Sequence, residues 1–371
     1  MQRRILGKTG LEVSILGQGG FHLCEVSAAD AQAILNRYLD AGGNYVETAP
    51  EYGDGNSERK IGQVMAKRRD ECVLATKCHL RDRQAASELF ERSLTNLQTD
   101  YVDILFMHHV QNLVELDTIL APDGALRAAE AARDSGRIRF IGLSNHGHPE
   151  VVIEALKRYP FDVVMTNFNY DDRFNFSAIE ETLLPLLVEK NIGIVGMKVI
   201  GDGFLWRSAA QAFRYAWSLP IHVMVAGMNT LGFLEQDLAW ARAFVPMPDA
   251  EKEHWFAAAP ELGTYVCRQC YKCLPCPSGI DIPRIFGLEG WYDRQMWDGI
   301  VRDPGDYWQR SALRFWFQNE RRAQAAYATL PVKSSACTDC GQCEPRCPYH
   351  VPIIDKLRHT HHKLTNGETL Y

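Results

Sequence analysis

Eight short apolar runs recur along the first 245 or so residues at intervals of about 30 residues, which is the length of one strand-and-helix unit. Segments with helical periodicity separate these runs. Eight such units predict an α/β fold, a (β/α)8 TIM barrel, which typically takes about 250 residues. A doubly wound open sheet shows the same alternation and remains the alternative. The runs lie at residues 13–16, 45–48, 73–76, 102–107, 138–143, 163–166, 192–197 and 223–226.

Two of the intervening segments carry helix signals at their ends. Residues 27–40 begin with Ser27, a favoured helix-capping residue, and are followed by Gly42, a favoured stop. Residues 85–97 place three leucines on one side. Both segments are therefore predicted as helices that cover the barrel.

The charge balance and the apolar pattern exclude several kinds of partner. Forty basic and 46 acidic side chains give a net charge of −6, so a nucleic acid is not expected as a partner. No apolar stretch approaches the roughly 18 residues that a membrane span needs. Because Lys8 interrupts the first residues before a signal-peptide core can form, we expect a cytoplasmic protein. In that reducing compartment the eleven cysteines are expected to be free thiols or metal ligands.

The placement of the cysteines divides the chain into two predicted domains. Eight of the eleven lie in the last third of the chain. We assign residues 1–245 to the barrel and residues 246–262, which begin with prolines and mixed charge, to a linker. Residues 263–371 form the second, mostly helical domain. Within it, residues 284–330 are rich in Trp, Phe and Arg and are interpreted as a helical insert.

Polar residues stand at the ends of the predicted strands, where a barrel of this class places its active site. Glu47, Lys77 and His108 end or directly follow three successive runs, and Tyr52 follows the first of them. An ammonium group next to a phenol stabilises the phenolate, so Lys77 would let Tyr52 exchange a proton at neutral pH. Glu47 would hold Lys77, and His108 would orient a carbonyl group. Each residue alone has an ordinary structural explanation, but four matching positions favour an active site.

Six segments resemble successive landmarks of the aldo-keto reductases, and the resemblance covers residues 1 to about 245. It implies a (β/α)8 barrel that uses NAD(P)H without a glycine-rich dinucleotide loop. By this resemblance Tyr52 is the general acid, Lys77 its partner and His108 the substrate-orienting histidine. Glu47 stands where that family usually has Asp. The segments read LGKTGLEVSILGQGGFHL, GGNYVETAPEYGDGNSERKIG, VLATKCH, YVDILFMHHV, GLSNHG and GMKVIGDG.

The same resemblance implies a cofactor site. One group of residues matches the positions that hold the nicotinamide carboxamide, and another matches the positions near the cofactor phosphates, close to a predicted helix N-terminus. Met197 stands where a tyrosine often stacks on the nicotinamide. No basic residue occurs in residues 227–233, so the choice between NAD and NADP stays open. The first group is Ser144, Asn145 and Asn167, and the second is Gly227, Met228 and Asn229.

Two cysteine runs in the second domain predict iron–sulfur chemistry. The second run follows the bacterial ferredoxin pattern C-x2-C-x2-C-x3-C-P to the residue. The first run has the same form with two residues instead of three before its last cysteine. Closely spaced thiolates suit a [4Fe-4S] cluster, so the runs predict two such clusters and a domain that resembles a bacterial-type ferredoxin. The runs are Cys267, Cys270, Cys273 and Cys276, and Cys337, Cys340, Cys343 and Cys347.

In two-cluster ferredoxins the last cysteine of each run binds the other cluster. Structural zinc is one alternative, but zinc motifs usually separate two C-x2-C pairs by about 15 to 20 residues. Disulfides are the other, and they are not expected in the cytoplasm. The pattern thus predicts one cluster on Cys267, Cys270, Cys273 and Cys347, and another on Cys337, Cys340, Cys343 and Cys276.

The sequence therefore predicts an oxidoreductase. Its barrel would transfer hydride between NAD(P)H and a small-molecule carbonyl or alcohol substrate, and its two clusters would serve electron transfer or regulation. Nicotinamides exchange two electrons and [4Fe-4S] clusters exchange one. Because no flavin motif is recognisable, a ferredoxin or a flavoprotein is expected as the redox partner. The alternative is a non-catalytic electron-transfer or redox-sensing subunit whose barrel only binds a nicotinamide.

Overall fold

The apolar runs form a closed, parallel, eight-stranded barrel in the computed structural model of the chain, which describes residues 1–203, 205–259, 266–293 and 319–367. This architecture confirms the predicted barrel and excludes the open sheet. A short antiparallel hairpin of β1 (Arg3–Ile5) and β2 (Glu12–Ser14) precedes the barrel. The barrel strands are β3 (Leu16–Gly19), β4 (Tyr45–Glu47), β5 (Val73–Cys78), β6 (Val102–Met107), β7 (Ile138–Ser144), β8 (Val163–Asn167), β9 (Gly193–Met197) and β10 (Val223–Ala226).

The first barrel strand differs from the prediction. The sequence predicts a strand at residues 13–16, but Val13 belongs to the hairpin strand β2 and the barrel strand begins at Leu16. Strand β3 then closes the barrel by pairing with both β10 and β4. One apolar run thus contributes to two strands, which alternation of apolar residues alone does not separate.

Helices follow the strands along the chain. The Ser27 side chain caps the first by accepting a hydrogen bond from the Asp30 backbone N–H, as the sequence predicts. They are α1 (Ala28–Asp40), α2 (Asn56–Arg68), α3 (Arg83–Leu97), α4 (Leu113–Leu120), α5 (Ala125–Asp134), α6 (Pro149–Arg158), α7 (Asp172–Asn175), α8 (Leu184–Glu189), α9 (Ala209–Trp217), α10 (Leu231–Arg242), α11 (Asp249–Ala258), α12 (Ile282–Asp293), α13 (Asn319–Ala328) and α14 (Ile353–Asn366).

The chain divides into two compact units, each with a hydrophobic core. The core of the first unit is the barrel interior, which includes Tyr45, Phe106 and Met165. The first unit comprises Met1–Phe168, Ala178–Val199 and Phe213–Pro246, and the second comprises Asn169–Ser177, Ile200–Ala212 and Met247–Tyr371.

The second unit is helical in its described part, with the two cysteine runs in loops. Helices α12 and α14 each follow one run, and Phe286 and Leu357 from these helices belong to the core of this unit. Helix α11 occupies most of the segment for which the sequence predicts a linker, residues 246–262. Residues 260–262 of that segment and residues 294–318 of the predicted insert lie outside the described residues.

A buried charge cluster joins the two helices that follow the cysteine runs. The Glu289 carboxylate on α12 accepts hydrogen bonds from Lys356 and Lys363 on α14, the latter over 3.1 Å. All three side chains are at most 1% exposed. Burying one of these charges without the others would carry a large desolvation cost, so the cluster fixes how the two helices pair.

Among the described residues, no helix is long and apolar enough to cross a membrane.

The Tyr38 hydroxyl links helix α1 to the start of the barrel. It donates a hydrogen bond to the Leu16 carbonyl oxygen over 2.7 Å and accepts one from the Tyr45 backbone N–H over 3.1 Å. The ring is fully buried, and a Cβ at Gly43 would lie 2.2 Å from it, so only glycine leaves room at that position. The Tyr38 hydroxyl therefore connects the first residue of β3 to the first residue of β4.

We expect Tyr38→Phe to destabilise the barrel by about 1–3 kcal/mol, because two buried backbone groups lose a partner. In a unit of this size that cost lowers the thermal unfolding midpoint by several degrees, about 2–4 °C per kcal/mol. Differential scanning calorimetry measures it. Tyr101→Phe removes the hydroxyl of a half-buried ring and keeps the contact of the ring face with Arg69, so it is the matched control and should leave the midpoint nearly unchanged. Equal midpoints for the two variants would contradict the role of the hydroxyl.

Candidate active site

The four residues predicted to carry the chemistry meet at the carboxyl-terminal edge of the barrel. Glu47 ends β4, Lys77 lies near the end of β5, His108 directly follows β6, and Tyr52 lies in the loop before α2. Glu47, Lys77 and His108 are buried, with at most 5% of each exposed. Strand register brings them together, because Glu47 pairs with Ala75 and Lys77 with Phe106 on neighbouring strands.

The Lys77 ammonium group has three hydrogen-bond acceptors. It donates to the Glu47 carboxylate, to the Thr48 carbonyl oxygen over 2.9 Å and to the Tyr52 hydroxyl oxygen over 2.9 Å. These acceptors match the three protons of an ammonium group. Because the Tyr52 oxygen accepts from Lys77, its own hydroxyl proton is left to be donated to another molecule.

The pKa of Tyr52 moves in the direction opposite to the one expected from Lys77 alone. Burial raises the pKa well above its usual value near 10, and the negative charges of Glu47 and Glu51 raise it further. Burial also lowers the pKa of Lys77, and the Glu47 carboxylate opposes that shift. Tyr52 is therefore protonated at neutral pH, which is the state of a proton donor.

His108 is neutral at any physiological pH. Burial lowers the pKa of its ring to about 3, and the Lys77 charge contributes in the same direction. Its Nδ1 atom lies 3.2 Å from a carboxylate oxygen of Glu51, and this contact lowers the pKa of Glu51 to about 2. The His108 and Tyr52 rings meet edge to face, with their centres 5.9 Å apart. A substrate at this edge would thus meet a phenol and a neutral imidazole side by side.

The residues predicted to bind a cofactor lie along the same edge of the barrel. Ser144, Asn167 and Met197 end strands β7, β8 and β9, and each is buried. The Asn145 side chain donates to the Val110 carbonyl oxygen over 2.7 Å and accepts from the His148 backbone N–H over 2.8 Å. Asn145 thus also orders the loop around it, a role that the sequence does not indicate.

The predicted phosphate-binding residues directly follow β10 and precede the N-terminus of α10. A Cβ at Gly227 would lie 2.2 Å from the His22 ring, so a larger residue at this position would displace the His22 side chain. The Met228 carbonyl oxygen accepts a hydrogen bond from Gln18, and the Asn229 amide donates to Glu25 over 3.0 Å. The positive end of α10 favours an anion nearby.

Sequence reasoning missed Glu51, His79 and Gln18 at this edge. Glu51 immediately precedes Tyr52, and its contact with His108 joins loops that are far apart in sequence. His79 lies two residues after Lys77, and side chains two residues apart face the same side of a strand. The sequence could therefore have indicated His79. Gln18 lies in β3, and the sequence pattern predicts the start of this strand too early in the chain.

The second unit holds two cavities, each lined by four of the predicted metal-binding cysteines. In both, three cysteines come from one run and the fourth is the last cysteine of the other run, as the ferredoxin pattern predicts. We call them the first and second cysteine cavities. The first is lined by Cys267, Cys270, Cys273 and Cys347, and the second by Cys337, Cys340, Cys343 and Cys276.

The two cysteine loops repeat the same backbone conformation. Two and four residues after the first cysteine of each run, the chain adopts positive φ: 52° and 60° at Gln269 and Tyr271, and 56° and 70° at Asp339 and Gly341. Three of these four residues are not glycine, so the surrounding loop holds them in an uncommon conformation. Repetition of such turns in both runs indicates that the loops are two copies of one backbone element.

The cysteines of the two cavities differ in exposure. Cys273 and Cys343 are buried, whereas Cys340 in the second cavity is exposed. Burial raises the pKa of Cys267 to about 11 and that of Cys273 to about 12. These thiols become thiolates readily only next to a cation, which a bound metal would supply.

Comparison with known proteins gives a family match for the barrel. A family model described as the Aldo/keto reductase family matches residues 15–217. The chain is 31% identical over 217 residues to the uncharacterized oxidoreductase YqkF of Bacillus subtilis, covering 55% of this chain and 67% of that protein. It is 30% identical over 240 residues to L-galactose dehydrogenase of Arabidopsis thaliana, covering 58% and 73%. The family match ends before the cysteine runs.

Solved structures show the same fold. The barrel resembles an aldo-keto reductase of Bacillus halodurans in its holo form, with a TM-score of 0.60, 24% identity, and 68% of this chain and 95% of that chain covered. It also resembles an aldo-keto reductase of Klebsiella pneumoniae in complex with NADPH, with a TM-score of 0.55, 20% identity, and 68% and 94% covered.

The depressed pKa of His108 predicts loss of stability in acid. Below about pH 6.5 the unfolded chain takes up a proton on this histidine that the folded barrel excludes down to about pH 3. The free energy of unfolding therefore falls with pH, by about 2 kcal/mol between pH 6.5 and pH 5. We expect His108→Gln to lose about that much less stability than the wild type between pH 7 and pH 5.

Urea unfolding at the two pH values, followed by tryptophan fluorescence, measures this difference. His22→Gln is the matched control, because the His22 side chain is 46% exposed. Other buried histidines contribute to both proteins, so only the difference between variant and wild type is diagnostic. The same acid response in His108→Gln and in the wild type would show that the folded barrel protonates this ring.

Proposed function

The chain belongs to the aldo/keto reductase family of NAD(P)-dependent oxidoreductases, and we propose that its barrel transfers hydride between NAD(P)H and a small-molecule carbonyl or alcohol. The main support for this proposal is the hydrogen bond from Lys77 to the Tyr52 oxygen. Lys77 also donates a hydrogen bond to the Glu47 carboxylate. This arrangement leaves a protonated phenol at the edge of the barrel where substrates bind in this fold.

In the direction of reduction, Tyr52 donates its proton to the carbonyl oxygen. NADH or NADPH, when bound, would supply the hydride for the carbonyl carbon. The Lys77 ammonium group, 2.9 Å from the Tyr52 oxygen, stabilises the phenolate that remains. His108 orients the carbonyl through a ring nitrogen. The buried Glu47 carboxylate keeps Lys77 charged in spite of its burial.

Ser144, Asn145, Asn167 and Met197 are proposed to hold the nicotinamide, and the segment after β10 to hold the phosphates. Their placement along one edge of the barrel and before the α10 N-terminus supports this assignment. Residues 227–233 contain no basic side chain for a 2′-phosphate, so NADH and NADPH both remain candidates. A non-catalytic barrel is not favoured, because the proton-donating set is complete.

We further propose that each cysteine cavity binds one [4Fe-4S] cluster and that the second unit is a ferredoxin-like domain. Four cysteines line each cavity in the grouping that the motif predicts, and buried thiols suit a metal that holds them as thiolates. Such clusters supply one-electron transfer. A ferredoxin or a flavoprotein is the proposed partner, and Cys340, which is exposed, marks the side of the second cavity that such a partner can reach.

We expect Tyr52→Phe to lower kcat for carbonyl reduction by roughly 10²- to 10⁴-fold, because a positioned proton donor contributes about that much. Nicotinamide binding should stay nearly unchanged, since Phe keeps the ring. Steady-state turnover with a panel of aldehydes and ketones, together with cofactor titration by fluorescence, separates the two effects. Tyr159→Phe is the matched control and should retain full turnover. Normal turnover by Tyr52→Phe would mean that another group provides the proton.

Metal and sulfide analysis of protein purified without oxygen tests the second unit. We expect about eight irons and eight sulfides per chain, four of each per cluster. Cys340→Ser should lose about four of each, whereas Cys24→Ser, at a cysteine outside both runs, should lose none. Stoichiometric zinc without sulfide would contradict the cluster assignment and favour a structural zinc domain.

A further inference from the structure

The buried charge cluster between α12 and α14 contains more positive than negative charge. The single Glu289 carboxylate accepts hydrogen bonds from both Lys356 and Lys363. Two ammonium groups and one carboxylate together carry a charge of +1. One lysine would be sufficient to pair the carboxylate and join the two helices, so helix packing alone does not explain the second lysine.

The Lys356 ammonium group lies next to a side chain that lines the first cysteine cavity. Its Nζ atom is 4.9 Å from the centre of the Phe286 ring, and Phe286 lines that cavity. Ile353, which also lines the cavity, precedes Lys356 by three residues on α14, so both side chains project from the same side of the helix. The Phe286 ring thus adjoins both the ammonium group and the cavity.

Lys363 contacts the same carboxylate from a different position. Its Nζ atom is 6.0 Å from the centre of the Tyr292 ring, and Tyr292 is not among the described residues that line either cavity. Both lysine side chains are fully buried. The two ammonium groups therefore share one partner and one degree of burial, but Lys356 is the one next to the first cavity.

The charged pair beside the second cavity is exposed. A carboxylate oxygen of Asp339 lies 3.6 Å from the Cys337 sulfur, and the same carboxylate pairs with Arg358. The Asp339 and Arg358 side chains are 49% and 57% exposed. Water and salt screen exposed charges much more strongly than buried ones. The buried lysine pair therefore acts on its surroundings more strongly than this exposed pair does.

A buried positive charge next to a cluster changes how readily the cluster takes up an electron. Reduction adds one negative charge, which a nearby cation stabilises. Burial opposes reduction, because a buried site stabilises added charge less than water does. Arg268 also lines the first cavity, but the buried Asp171 carboxylate acts on it and offsets its charge. Lys356 is thus the cation that compensates for burial of the first cavity.

We propose that Lys356 raises the reduction potential of the cluster in the first cysteine cavity, so that this cluster accepts the electron that enters at the second cavity. Ile282 lines both cavities, which makes them neighbours. A reduced ferredoxin or flavoprotein gives one electron to the second cluster and is oxidised. That electron then passes to the first cluster, which is reduced as the second is reoxidised. No bond forms or breaks and no proton moves. This inference rests on the two clusters of the proposed function.

A redox titration of the full-length protein, purified without oxygen and followed by EPR and visible absorbance, tests the tuning role. We expect Lys356→Met to lower the equilibrium constant for reduction of the first cluster about tenfold or more, which is about 59 mV or more for one electron. The second cluster should shift less. Cys340→Ser, which is expected to keep only the first cluster, shows which signal belongs to it.

Lys363→Met is the matched control. It removes the same charge from the same carboxylate at the same burial and keeps Lys356 next to Phe286. Its first cluster should shift clearly less than that of Lys356→Met, whereas a purely structural role would affect both variants alike. Equal shifts in the two variants, or no shift in Lys356→Met, would overturn the proposal.

The wild type provides a test that does not depend on how well the variants fold. Its first cluster should have a higher potential than its second, and the reverse order would overturn the proposal. Iron and sulfide counts separate this failure from that of the proposed function. A protein without iron and sulfide would contradict both. Two intact clusters with the reverse order of potentials would contradict only the role of Lys356 and leave the cluster assignment standing.

Discussion

The Lys77 ammonium group is buried in the barrel, and the arrangement of the active site depends on how its charge is compensated. A buried ammonium loses several kcal/mol of hydration unless a counter-charge and hydrogen-bond acceptors replace the water. Glu47, Thr48 and Tyr52 supply all of these, and they come from one strand end and its loop. The register of β4 against β5 therefore sets both the ion pair and the position of the proton donor.

The second unit uses a buried charge cluster in a comparable way. Glu289 on α12 receives both Lys356 and Lys363 from α14, and apolar residues of the same helices, such as Phe286 and Leu357, belong to the hydrophobic core of this unit. The two helices start at equivalent places after the two cysteine runs. Separating α12 from α14 would leave three buried charges without partners, so the cluster stabilises the packing of the two helices that follow the cysteine loops. Four cysteines from two distant parts of the sequence can then line one cavity.

The parts of this structure that were predictable from sequence are those set by local patterns. Strand spacing predicted the barrel, and strand ends predicted Glu47, Lys77 and His108. Cysteine spacing predicted which cysteines share a cavity. The direction of the Tyr52 pKa shift was wrong, because it depends on burial, which a sequence does not quantify. Glu51 was missed because its partner, His108, is distant in sequence and adjacent only through the closed order of the strands.

The two candidate sites differ in whether the chain alone supplies the charges that their side chains require. In the barrel the chain itself supplies both signs of charge, so Lys77 and Tyr52 are positioned without any bound group. In the first cysteine cavity burial raises the pKa of Cys267 and Cys273, and a cation beside these thiols would favour the thiolate. Under the proposed cluster assignment, binding of metal there would release protons and add its free energy to folding. Each unit has its own core, and the hydrogen bond from Lys77 to Tyr52 lies within the first unit.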